Sequence, residues 1–169
     1  MVWKHSFGTM ARMARMAARV AVGGTFDPLH DGHKALLRKA VELSRGGELL
    51  VGITSDVMAG KKCHDVAEYS LRYEDVSRFI RPQGIAPAIV RLDDPYGPTV
   101  HDDFDYLVVS PETYPASLEI NRLRKENGLV EIEVVLVDYV IADDGLPISS
   151  TRIKNGEIDK HGRVLVSGR

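Results

Sequence analysis

Two imidazoles three residues apart, His30 and His33, lie in the segment VAVGGTFDPLHDGH at residues 20–33. An imidazole N–H donates well to a phosphate oxygen, and a pair of them beside glycines suggests phosphate chemistry. Gly23 and Gly24 permit a tight turn with close backbone approach, and Thr25 follows with a hydroxyl. Asp31 reads as a helix N-cap, which puts His33 in the first helical turn beside amides that have no intrahelical partner. A strand, a glycine turn and an open helix start together make an anion site. A second polar group, Ser149, Ser150 and Thr151, opens another short helix, where hydroxyls and amides can hold phosphates and Arg152 adds charge. Each group also has a plainer use: histidines can satisfy a turn's backbone, and serines cap ordinary helices.

Other reactive side chains lack such a setting. His5, His64, His101 and His161 have no glycine turn or helix start beside them. Cys63-His64-Asp65 has no second spaced ligand pair, so no protein-held metal is expected. Lys61 and Lys62 fall in a polar connection over residues 54–68, where lysines are usually just solvated. Asp27 fits either an Asx-type bond within its turn or a ligand contact.

The elements that must position these residues alternate. Residues 20–22 and 48–53 read as buried strands, with Leu36, Leu37, Ala40, Val41 and Leu43 at helical spacing between them. Ser70 is placed to cap the next helix, with Leu71, Val76, Phe79 and Ile80 inward and Arg81-Pro82 at its end. Strands follow at 88–92, 106–109 and 130–137. A helix over 112–127 starts from Ser110-Pro111 and stops at Gly128. Ser149 or Ser150 caps the last helix, which ends near Gly156. This order predicts an α/β fold: a doubly wound, Rossmann-like parallel sheet of about five strands with helices on both faces. Ligands of such a sheet sit beyond the carboxyl ends of its strands, and both polar groups fall there.

The chain of 169 residues suits one domain with a sizeable core. Its net charge of −2 offers no basic footprint for nucleic acid, and no stretch has the length of a membrane span. The single cysteine excludes an internal disulfide and suits a reducing, cytoplasmic setting. Residues 1–18 are basic and free of acidic side chains, and are predicted to be a disordered extension. The catalytic domain is predicted to span 19–157, followed by a tail over 158–169. The helix patterns leave no spare apolar face, so the oligomeric state is open.

The segment GGTFDPLHDGH resembles the strand-one signature of the HxGH nucleotidylyltransferases, and ISSTRI at 148–153 resembles their second signature. DDPYGPT at 93–99, VVSPET at 108–113 and INRLRKENGL at 120–129 are similar to the archaeal and eukaryotic type of phosphopantetheine adenylyltransferase. The resemblance implies transfer of the adenylyl group of MgATP to 4′-phosphopantetheine, giving dephospho-coenzyme A and pyrophosphate. It implies that His33 contacts the α-phosphate with His30 alongside. ATP would be held by Gly24, Thr25, Phe26, His30, His33, Ser149, Ser150, Thr151 and Arg152. A lysine of the 54–68 connection would bind substrate phosphate. Counting from Thr54-Ser55-Asp56 favours Lys62, with Lys61 still open. Thr25, Asp94 and Tyr96 would lie near the acceptor, and Glu112, Thr113, Asn121 and Arg122 near the nucleotide. Mg²⁺ would arrive with ATP. The alternatives are another acceptor within the superfamily (FMN, nicotinamide mononucleotide or a polyol phosphate) or a nucleotide-binding regulator without catalysis.

Overall fold

The computed structural model describes residues 17–60 and 65–165. Its centre is β1 (Arg19–Gly24), which pairs in parallel with β2 (Glu48–Thr54) on one side and β4 (Tyr106–Val109) on the other. β3 (Ala88–Leu92) lies outside β2, and β5 (Glu133–Leu136) outside β4. The order is β3-β2-β1-β4-β5, all parallel, as the alternation of strands and helices predicts.

Successive residues of a strand face opposite sides, so the apolar runs feed two layers. Val20, Val22, Val51, Ile53 and Val108 pack beneath α1 (Asp31–Leu43) and α3 (Tyr69–Ile80), meeting Leu36, Leu37, Val41, Val76 and Ile80. Ala21, Leu107 and Val109 face the other way, towards Ile120 of α4 (Tyr114–Glu126). Each fully buried leucine or valine contributes roughly 1.5–3 kcal/mol. Two short helices complete the fold: α2 (Asp56–Gly60), inside the polar connection after β2, and α5 (Ser150–Lys154).

Several boundaries differ from the sequence reading, each for a local reason. Glu68, not Ser70, takes the cap position of α3, without a side-chain cap bond. The inward stripe of α3 is Arg72, Val76 and Ile80, spaced four apart, and Leu71 is turned out to solvent. Residues 111–113 form a turn in which Thr113 Oγ1 accepts from the Ser110 amide at 3.0 Å, so α4 starts at Tyr114 with Pro115 in its first turn. The last strand is shorter than 130–137: β5 covers Glu133–Leu136, and beyond it Ile141 pairs with Pro147 in an antiparallel bridge.

Both ends of the predicted domain move outward. Ile158 is fully buried against Ala142 and Ile148, and it bridges to Val164. The Lys160 carbonyl accepts from the Asp31 amide at 3.0 Å. Residues 158–165 are therefore part of the domain, not a tail. At the other end the Ala18 carbonyl accepts from the Glu48 amide at 3.0 Å. A Cβ on Gly47 would lie 2.0 Å from that carbonyl oxygen, which is why a glycine turns the chain there. Residues 1–16, the bulk of the predicted extension, lie outside the described residues.

Candidate active site

The chain winds from β1 outward through β2 and β3, then returns to the other side of β1 for β4 and β5. At such a reversal the connections leave in opposite directions and open a crevice at the strands' carboxyl ends. A cavity of about 440 Å³ lies there. Gly23 to Asp27 at the end of β1 and in the turn after it, Thr54 at the end of β2, Leu92 of β3, Ser110 after β4, and Ser150 and Thr151 of α5 all contribute to its wall.

The turn after β1 is built from ring packing as much as from hydrogen bonds. His30, not Asp31, is the N-cap of α1, and its Nδ1 accepts the His33 amide at 3.3 Å. Asp31 is the first helical residue, and its carboxylate receives Lys34 Nζ at 3.2 Å and lies 3.0 Å from Nδ1 of His161. The His30 and His33 rings stack with centroids 3.7 Å apart. A Cβ on Gly32 would approach His30 Cε1 to 2.9 Å, so the glycine between the histidines makes room for the capping ring. Phe26 takes a positive φ of 55°, unusual for an aromatic residue. Its ring is buried, edge-on to His33 at 5.3 Å, and lies 3.1 Å from where a Gly24 side chain would begin.

Burial sets the protonation of both imidazoles. Loss of solvent first, and then the neighbouring His30, bring His33 down to about 3, against opposing contributions from the Pro28 backbone and Asp27. Burial likewise brings His30 to about 4. Both rings are therefore neutral at pH 7. His33 lines the cavity, whereas His30 lies behind it, and Nδ1 of His33 is shielded from solvent without a partner among the described residues.

On the opposite wall, Ser149 is the cap of α5, its hydroxyl accepting from the Arg152 amide at 3.3 Å. Ser150 and Thr151 face the cavity. The Arg152 guanidinium does not. It bonds to Asp144, to Glu157 at 3.0 Å and to the Pro147 carbonyl at 3.1 Å, and so carries little uncommitted charge. The cation that does line the cavity from α5 is Lys154, paired with Asp27 at 2.7 Å and bonded to the Asp65 carbonyl. Asp27 thus ties the turn to α5, and it also accepts from the Ala67 amide at 3.2 Å.

Of the loop residues, Tyr96, Glu112 and Thr113 line the cavity. Asp94 is used within its own turn, accepting from the amides of Tyr96 and Gly97, both at 2.8 Å. Asn121 pairs with both backbone groups of Ile132, and Arg122 pairs with Glu119 and Glu126 on the exposed side of α4. Neither reaches the cavity wall. Lys61 and Lys62 lie outside the described residues. Sequence reasoning overlooked Lys154 and Arg72. Arg72 had a visible signal, since it sits at apolar helical spacing with Val76 and Ile80. Lys154 follows the serine-threonine group by three residues, one helical turn, but nothing local marks it as inward.

A cytidylyltransferase-like family profile matches residues 21–156. A phosphopantetheine adenylyltransferase of Methanosarcina barkeri is 50% identical over 149 residues, which are 86% of this chain and 92% of that one. The enzyme of the same name from Archaeoglobus fulgidus is 49% identical over 148 residues, covering 87% of this chain and 99% of that one. A crystal structure of a protein of unknown function from Archaeoglobus fulgidus superposes with a TM-score of 0.68 at 45% identity, covering 71% of this chain and 89% of that one. The matched span contains both walls of the cavity, the turn bearing His33 and the start of α5. The chain belongs to the cytidylyltransferase-like family and, within it, to the phosphopantetheine adenylyltransferases.

Proposed function

We propose that the chain transfers the adenylyl group of MgATP to 4′-phosphopantetheine, giving dephospho-coenzyme A and pyrophosphate. A phosphate oxygen of the acceptor forms a bond to the α-phosphorus of ATP. The bond from that phosphorus to the oxygen bridging to the β-phosphate breaks, and pyrophosphate leaves with the electron pair. Such a displacement needs alignment and charge stabilisation but no protein nucleophile. The observation that carries the reading is a single cavity walled on one side by the His33 turn and on the other by Ser150 and Thr151. One wall can hold the reacting phosphate while the other holds the leaving pair.

In this reading His33 donates to the α-phosphate, and the arriving negative charge favours its protonated form, opposing the effect of burial. Thr25 and Phe26 offer amides from the turn. Ser150 and Thr151 hold the β- and γ-phosphates, with Ser149 fixing the start of their helix. Arg152 acts through that helix rather than on phosphate, given its carboxylate partners. Lys154 supplies a cation at the wall, and Lys62 or Lys61 a second one for substrate phosphate. Mg²⁺ belongs to the substrate, as the counter-charge of the triphosphate. The acceptor is supported by the names of the relatives, and a cytoplasmic setting by the single cysteine. Incubation of ATP with a panel of acceptors tests the reading. Pyrophosphate should form fastest with 4′-phosphopantetheine and not at all with pantetheine, which lacks the attacking oxygen. Faster release with FMN, nicotinamide mononucleotide or glycerol 3-phosphate would refute the acceptor.

A further inference from the structure

Arg72 is buried to 1% exposure in α3, yet its guanidinium lies among backbone and hydroxyl groups of the phosphate turn. Nη1 donates to the Thr25 carbonyl at 3.1 Å and to Thr54 Oγ1 at 3.2 Å, and Thr54 Oγ1 lies 3.1 Å from Thr25 Oγ1. Nε donates to the Ala67 carbonyl at 2.8 Å, and Nη2 to Asp56 at 2.9 Å. A planar fork with this many donors used is one that an ammonium group cannot reproduce. The Thr25 carbonyl matters because it shares a peptide plane with the Phe26 amide. In a planar trans peptide the C=O and the adjoining N–H point in opposite directions, so holding the Thr25 carbonyl fixes the direction of that amide. Phe26 is also the residue with φ of 55°, a conformation that persists only when its surroundings enforce it.

We propose that Arg72 is a positioning residue for adenylyl transfer: through the Thr25 carbonyl and the Thr25–Thr54 hydroxyl pair it holds the Phe26 amide in its phosphate-binding orientation. Arg72 does not line the cavity and touches no substrate, so its effect is on alignment. Misplacement of a phosphate-holding group slows the chemical step more than it weakens overall binding.

The proposal rests on the adenylyl-transfer reading, and three measurements on the full chain separate the two. Arg72→Lys keeps the charge but loses the fork, and should lower kcat about tenfold or more while KM for ATP changes less than threefold. In the wild-type chain the ¹⁵N–¹H resonance of Phe26 should shift when MgATP is added without an acceptor, and in Arg72→Lys that response should be lost. Millimolar guanidinium should restore part of the turnover of Arg72→Ala. If wild-type protein forms no product with 4′-phosphopantetheine but Phe26 still responds to MgATP only when Arg72 is present, the acceptor reading falls and the positioning role stands. An Arg72→Lys chain with wild-type kcat and an unchanged Phe26 response would overturn the proposal. So would one that fails to fold, since Arg72 would then serve the fold alone.

Discussion

At the scale of single residues the site depends on how a buried imidazole is kept neutral and partly unpaired. His33 holds an unpartnered Nδ1 and stacks on a second histidine that is itself consumed as a cap. Replacing it with alanine should leave the fold intact and lower turnover by about 10²–10⁴, on the order of 3–5 kcal/mol of transition-state stabilisation. ATP affinity should change far less, and steady-state kinetics together with calorimetric binding would distinguish the two. The same burial has a consequence for stability. Folded His33 and His30 protonate near 3 and 4, against an ordinary value of 6.5, so in between the unfolded chain binds more protons than the folded one. Stability should therefore be full above pH 6.5 and should fall as the pH drops towards 4, by on the order of 3 kcal/mol for each imidazole. Thermal melts across that range should show the decline, with a shallower slope in His33→Gln. An identical slope in the variant would mean that His33 is not one of the groups responsible.

Among the elements, the short ones do most of the positioning. α5 has only five residues, yet it brings Ser150, Thr151 and Lys154 to the cavity, and it is held in place by residues 158–165. Ile158 packs against Ile148, just ahead of the α5 cap, and Lys160 holds the Asp31 amide at the start of α1. Ending the chain after residue 157 should cost about 2–4 kcal/mol and lower the melting temperature by on the order of 5–10 °C. Activity should fall with it, because both walls of the cavity lose a support. An unchanged melt would show that the segment is dispensable. These contacts also mark where sequence reading reached its limit. The strands, the order of elements and a serine cap at 149 or 150 were legible because period, length and cap chemistry are local. The use of His30 rather than Asp31 as a cap was not, since it depends on a ring folding over Gly32. Nor was the docking of 158–165, whose one strong anchor is a single isoleucine. The roles of Arg72 and Lys154 were not legible for a related reason: although the spacing of Arg72 hints at burial, each cation is explained by its partners, which include Thr25, Thr54, Asp27 and Asp65, far away in sequence.

For the whole molecule, the parallel sheet and its reversal between β1 and β4 determine where chemistry can occur, and the side chains of two distant segments determine which chemistry. Among the described residues no helix is long and apolar enough to cross a membrane. The central claim is that the adenylyl group, not a phosphoryl group, moves to the phosphate of 4′-phosphopantetheine. It is tested most directly by incubating the protein with ATP labelled at the α-phosphate, or separately at the γ-phosphate, and separating the products. The account predicts that the α-label appears in dephospho-coenzyme A and the γ-label in pyrophosphate. An α-label that stays with free adenine nucleotide, or a γ-label that enters the pantetheine product, would contradict it.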